Sequence, residues 1–347
     1  MTVNLLEKIM EAKAYRETAQ KRELLILENE HVRVVVWLEM GAALLDFVDK
    51  ASGLDIIFKN PNCKVAQRHL MTQPVQGFSD LYDVLDGSWF LSLPTGFHPT
   101  QYYGAPIGAH GEFRSLEWEV EILESGPERA RVKVTGNSVR TPLVMERIWE
   151  LGAGSRTLAW EETLHNRSGK DRGCAWLHHP AFGGDIIVGA ELRVPAATVV
   201  HDFKGAQLVA GHRGPWPKVP LAGTDGSRDC SKVPEADSGV DHSIQLTDFE
   251  VGWGCLWNEE RQLGFAMRWD ENFFPWAWSW AHAGGNEDYP MWGQGHLITL
   301  QPGTSPVGPW ESLLESGQVK TIPAGGSVQT RMLTGFTNDP DAVWELT

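Results

Sequence analysis

Cysteine is scarce: Cys63, Cys174, Cys230 and Cys255 are the four in 347 residues, widely scattered and without a CxxC pair. Such spacing supports neither a disulfide framework nor a zinc knuckle, and reduced thiols of this kind fit a cytoplasmic chain. Long apolar runs are missing as well. None approaches the ~18–20 residues of a membrane-spanning helix, and the start Met1-Thr2-Val3-Asn4-Leu5-Leu6-Glu7-Lys8 has no basic stretch followed by an apolar one and a cleavage site. A cytoplasmic chain that avoids membranes is expected. Positive charge is in deficit, with 30 Lys and Arg against 45 Asp and Glu and a net charge of −15. This balance repels phosphate backbones and anionic lipid, so nucleic acid is not an expected partner. A Gly-rich phosphate loop and an HExxH pattern are also absent. Neither a cofactor nor a metal is expected, although His110, His178, His179 and His282 are the residues that would have to converge for one. The sequence says nothing of oligomeric state.

What the chain does have is tryptophan, 16 against 5 tyrosines, in a composition of 42% hydrophobic and 22% charged residues typical of a packed domain. An indole gives a flat apolar face and one N–H donor, useful in a core and for stacking on a pyranose ring. Residues 3–22, with Leu5, Leu6, Ile9, Ala12 and Tyr15 among charges and no Gly or Pro, predict a helix. From Leu24 the pattern turns to β. Trp118, Val120 and Ile122 alternate with Glu119 and Glu121, and Ala130, Val132 and Val134 repeat the pattern across Ser125-Gly126-Pro127, which predicts a hairpin. Further strands are expected at 143–151, 156–165, 192–200, 243–248, 253–258, 263–269, 296–301 and 327–336. Many short strands without interleaved helices point to a large antiparallel sandwich. The reading is an all-β chain with an N-terminal helical appendage over 1–23, one sandwich domain over 24–347, and long loops at 60–115 and 202–242.

Candidate reactive groups fall in three places: Asp86-Gly87-Ser88-Trp89 with His110-Gly111-Glu112-Phe113-Arg114 and Trp118; Trp176 to Asp185, containing His178-His179-Pro180-Ala181-Phe182; and the run of Trp276, Trp278 and Trp280 leading through Tyr289 and Trp292 to Gln301-Pro302-Gly303-Thr304-Ser305. Histidines beside Gly and Pro, in a β sandwich with an indole platform, suggest a polar pocket floored by aromatics. At these residues the sequence resembles the aldose 1-epimerase (galactose mutarotase-like) superfamily, in order and rough spacing from about residue 30 to residue 336.

The resemblance implies a galactose mutarotase-like antiparallel β-sandwich (supersandwich) and chemistry at the anomeric centre or ring oxygen of a sugar, with a carboxylate removing the anomeric proton and a histidine protonating the ring oxygen. Carried over by motif, His179 and His110 are the catalytic candidates, with Trp89, Arg114, His178, Trp278, Gln301 and Asp288 as substrate-binding candidates. If its segment is extended, His178 should point away from His179. Where the superfamily has its general-base glutamate this sequence has Gln301, and an amide does not titrate near neutral pH. Three readings stay open: a relocated base (Asp288, Glu287 or Glu112), isomerisation or elimination run by the histidines, or sugar binding alone. Arg68, Arg114 and Arg268 are candidate partners for an anionic group on the sugar.

Overall fold

Alternation of apolar and polar residues builds an antiparallel β architecture here. The computed structural model describes residues 11–62, 87–202 and 207–346. Among these, strands form a 13-stranded and an 8-stranded sheet, with three two-stranded ribbons beside them. The large sheet runs from Lys13–Ala19 at one edge through Ala43–Asp49, Trp89–Ser92, Leu177–Phe182, His296–Thr299, Trp276–Ala283 and Val240–Phe249 toward His212–Pro215. The smaller sheet centres on Ser327–Thr337, Thr157–Asn166 and Leu143–Gly152 and ends at Glu119–Ser125.

Period two sorts the smaller sheet into a dry and a wet face. In Leu143–Gly152 the side chains of Met145, Arg147, Trp149 and Leu151 are buried while Glu146, Ile148 and Glu150 are half-buried. The outward carboxylates meet cations on neighbouring strands, as in Lys133 to Glu146 at 2.7 Å; such surface pairs contribute only ~0–1 kcal/mol each. Strands at Trp253–Asn258 and Leu263–Trp269 have the expected bounds. The 192–200 strand is broken around Pro195 into Glu191–Arg193 and Ala196–His201, and 296–301 divides into His296–Thr299 and Gln301–Gly303. The expected hairpin forms, but its register shifts at Arg131 and Val132, and Ile122 is left exposed on the edge strand.

The N-terminal helix is a correction. Lys13–Ala19 is an edge strand, paired residue for residue with Arg22–Glu28 across Gln20 and Lys21 at φ 52° and 63°. Ala, Glu, Lys and Arg favour helix intrinsically, but a short isolated helix is marginal in water, whereas this segment gains a full ladder of backbone bonds and buries Ala12 and Ala14. The rest of that expectation, residues 3–10, lies outside the described residues. The two expected loops also hold more structure than their Gly and Pro content suggests. Trp89–Ser92 lies within the large sheet, and short strands occur at Thr100–Tyr102, Ala105–Ile107, Lys218–Pro220 and Ser227–Asp229. Among the described residues no helix is long and apolar enough to cross a membrane.

Between the two sheets lies an ionic chain. Arg147 donates from Nε to Glu162 Oε1 at 2.6 Å, and Glu162 Oε2 sits 2.8 Å from His178 Nε2. Their side chains are 3%, 1% and 0% exposed. The guanidinium lies 5.3, 5.3 and 4.9 Å from the ring centres of Trp118, Trp149 and Trp160, a cation–π setting that replaces part of its lost hydration. Burial pushes the Glu162 carboxyl upward, but His178 and Arg147 outweigh it and hold the group at about 2.

Candidate functional site

The site starts from the alternation of Leu177–Phe182. His178 faces the interior and pairs with Glu162, so the next side chain, His179, faces the opposite side of the sheet. Register sets His179 opposite Phe90 and Pro180 opposite Trp89. Phe90 therefore stacks on the imidazole of His179, centroids 4.3 Å apart at 13°. His110 arrives from a separate turn, where its N–H donates to Gly96 O at 2.9 Å and its own carbonyl accepts from Leu93 N at 3.3 Å. The turn takes left-handed backbone at His110 (φ 60°) and Gly111 (φ 79°). A Cβ on Gly111 would lie 2.0 Å from Leu93 O, so only glycine fits there. Gly87 is held the same way, its Cβ position 2.0 Å from Phe58 O.

These constraints bring the rings of His110 and His179 together edge to face, 4.9 Å apart at 85°. They line a cavity of about 330 Å³ walled by Phe58, Phe90, Phe97, Trp278, Trp280 and Met291. Trp278 spends its N–H on Ser305 O at 3.0 Å, and Trp280 on Asp241 Oδ1 at 2.7 Å. Gln301, paired in register with Trp278, donates from Nε2 to Thr299 Oγ1 at 2.7 Å. Its Oε1 is buried without a partner, as is His179 Nδ1. A buried polar atom left unpaired costs ~1–3 kcal/mol, which a ligand hydroxyl would recover. Burial lowers His179 to about 4. Burial, then the neighbouring His179 and Arg114, puts His110 well below the usual histidine value. Both rings are neutral at pH 7.

Four of the expected site residues line this cavity: His110, His179, Trp278 and Gln301. Four do not. Trp89, one residue before Phe90, faces the interior and stacks on Trp160 at 5.0 Å. His178 belongs to the ionic chain. Arg114 sits in the short turn Phe113–Ser115 behind His110, buried, with Nε donating to Ala109 O at 2.8 Å. Asp288 is exposed on the 284–295 loop, outside the cavity wall, as is Glu287. Glu112 is tied down by the N–H groups of Val139 and Arg140 and by Ser138 Oγ. Among the described residues no carboxylate and no cation lines the cavity. Arg268 lies on the smaller sheet and bonds Gly252 O and Glu271, and His282 bonds Asp241 and Gln294 O; the four histidines do not converge. Arg68 and Asp86 lie outside the described residues. Sequence reading missed Phe90, whose signal was its parity with Trp89, and Phe58, Phe97 and Met291, which no local pattern marks.

A family model described as "Domain of unknown function (DUF4432)" matches residues 93–335. No curated protein matches the chain. Among solved structures, a protein of Klebsiella pneumoniae subsp. pneumoniae MGH 78578 named a "putative aldose 1-epimerase" superposes with a TM-score of 0.73 at 16% identity, over 93% of this chain and 83% of that one. A galactose mutarotase-like protein of Lactobacillus casei ATCC 334 gives 0.61 at 14% identity over 90% and 100%. One of Clostridium acetobutylicum gives 0.63 at 11% identity over 95% and 99%. Likeness at such identities is one of fold: the chain has the galactose mutarotase-like β-sandwich that its motifs led one to expect.

Proposed function

The chain belongs to the DUF4432 family, and we propose that its pocket opens and recloses a monosaccharide or sugar derivative at the anomeric centre, as an aldose 1-epimerase-like isomerase using a histidine pair. The observation that carries this reading is the contact of two neutral imidazoles, His110 and His179, in an aromatic cavity. A neutral imidazole has one N–H donor and one lone-pair nitrogen, so two of them supply both an acid and a base. His110 takes the proton of the anomeric hydroxyl while the bond from the anomeric carbon to the ring oxygen breaks. The electron pair of that bond goes to the ring oxygen, which takes a proton from one nitrogen of His179 as the other nitrogen is reprotonated, so that no imidazolate is left. The proton that replaces it comes from His110, which restores two neutral rings, and the free aldehyde rotates and closes from either face. Gln301 accepts a hydroxyl hydrogen bond at Oε1 and takes no proton. A cytoplasmic setting accords with the buried, unbridged thiols of Cys174, Cys230 and Cys255.

The test is anomeric exchange of freshly dissolved α-D-glucose and α-D-galactose, followed by polarimetry or NMR. Acceleration by the protein that disappears in His179→Ala is expected; no acceleration of either sugar sinks the reading. A second reading, sugar binding without turnover, is favoured by Gln301 itself, since the amide stands where the superfamily resemblance puts a base. In that case the protein binds the sugars without exchange, and Gln301→Glu starts it.

A further inference from the structure

We propose that the 286–295 loop forms an outer subsite in which Trp292, with Tyr289 set edge to face beside it, stacks on a second sugar ring, the first ring lying in the pocket; this rests on reading that pocket as a sugar site. One loop serves both places. Asn286, Pro290 and Met291 line the cavity, while Tyr289 and Trp292 are 44% and 57% exposed with their rings edge to face at 6.1 Å. No other described tryptophan is so exposed. The pair is displayed by a built turn: Asp288 O accepts from the N–H groups of both Met291 and Trp292, Gly293 N donates to Asn286 O, and Asn62 Nδ2 donates to Met291 O at 2.8 Å. Trp292 itself is in the left-handed region at φ 52°, where a bulky residue is disfavoured. Neither packing nor backbone preference accounts for an exposed indole there.

Size and chemistry then name the occupant. A cavity of about 330 Å³ is at the small end for ligand pockets, ~300–1,000 Å³, and suits one ring. A longer ligand must therefore continue outside, next to the loop that forms the wall. An indole face takes the apolar face of a pyranose, and the exposed carboxylates of Glu287 and Asp288 on the same loop accept hydroxyl hydrogen bonds. The ligand class is a disaccharide with a free reducing end.

Calorimetric or NMR titration with D-glucose, maltose and cellobiose tests this. At least one disaccharide should bind ~tenfold tighter than glucose, and Trp292→Ala should remove that advantage while changing glucose affinity by less than about twofold. Trp292→Phe, which keeps an aromatic face, should retain most of it. Equal binding of glucose and both disaccharides to the wild type overturns the subsite and leaves the pocket reading standing. So does a Trp292→Ala variant, folded by circular dichroism, that weakens glucose and disaccharide alike. Binding of no sugar overturns both.

Discussion

His178 and His179 share a strand and a residue type, yet one is sealed into an ionic chain and the other faces an aromatic cavity. Behind the sheet guanidinium, carboxylate and imidazole are joined at 2.6 and 2.8 Å. In front of it Gln301 Oε1 and His179 Nδ1 lack a protein partner and border the cavity; the interior has unpaired atoms as well, His178 Nδ1 and Trp89 Nε1 among them, but those two residues do not line it. The strand therefore divides a supporting face, built on an ionic chain, from a working one whose unpaired groups a ligand can reach. The difference between them rests on one residue of parity.

Breaking the working side has the largest expected effect. His179→Ala should lower anomeric exchange by ~10²–10⁴ in kcat, the usual share of a general acid or base, with a nearly unchanged melting temperature; an unfolded variant whose folded fraction keeps full specific activity would make His179 structural. Breaking the supporting side should act on stability instead. Glu162→Leu leaves Arg147 buried without its carboxylate and should cost ~3–5 kcal/mol by urea unfolding. Changing the chain as a whole, Arg147→Met with Glu162→Leu and His178→Phe, should recover much of that loss, since a buried ion pair often gains little over apolar packing.

Acid should separate the two faces by pH window. Glu162 is at about 2 in the folded protein against an ordinary 4.5, so its stabilisation is complete above 4.5 and is lost as pH falls toward 2. His179 is at about 4 against 6.5. The unfolded chain takes that proton first, so stability falls as pH drops from 6.5 toward 4, by at most ~1.4 kcal/mol per pH unit for each such group. His110 and His242 are lowered too, as are carboxylates such as Glu28, Asp49 and Glu146, so His179→Gln should flatten only part of the upper window and Glu162→Leu only part of the lower one. Unfolding curves at pH 7, 5 and 3 check both. The smallest effect is on Gln301→Glu: if the histidine pair is self-sufficient, exchange should change by less than about tenfold, and a larger gain would mark the wild type as a binder.

Alternation and turn residues made much of the fold legible. Trp253–Asn258 and Leu263–Trp269 are bounded by turn-forming residues, and their ends were readable. Lys13–Ala19 was not, because its composition favours helix and its strand state depends on a partner edge that a local window does not contain. In the site, His110 and His179 stood out through their Gly and Pro neighbours. Trp89 and His178 stood out for the same reason and belong to the interior, since a motif read as a string does not tell which face each letter takes. Period two was enough to separate His178 from His179, whereas Trp89 from Phe90 needed the pairing of Trp89 with Pro180. Phe58, Phe97 and Met291 come from separate segments that only the folded chain brings together.

The contacts at Gly87 and Gly111 bear on how such a pocket can diverge. Each glycine is pressed against a carbonyl of another segment, with no space for even one methyl group. Mutation there breaks the wall rather than reshaping it, so these two positions are closed to gradual change in ligand preference. Variation that survives selection has to enter through side chains on the wall whose backbone is outside the left-handed region, such as Phe97 and Val307. A library aimed at a new sugar would therefore randomise those positions and leave the glycines as they are.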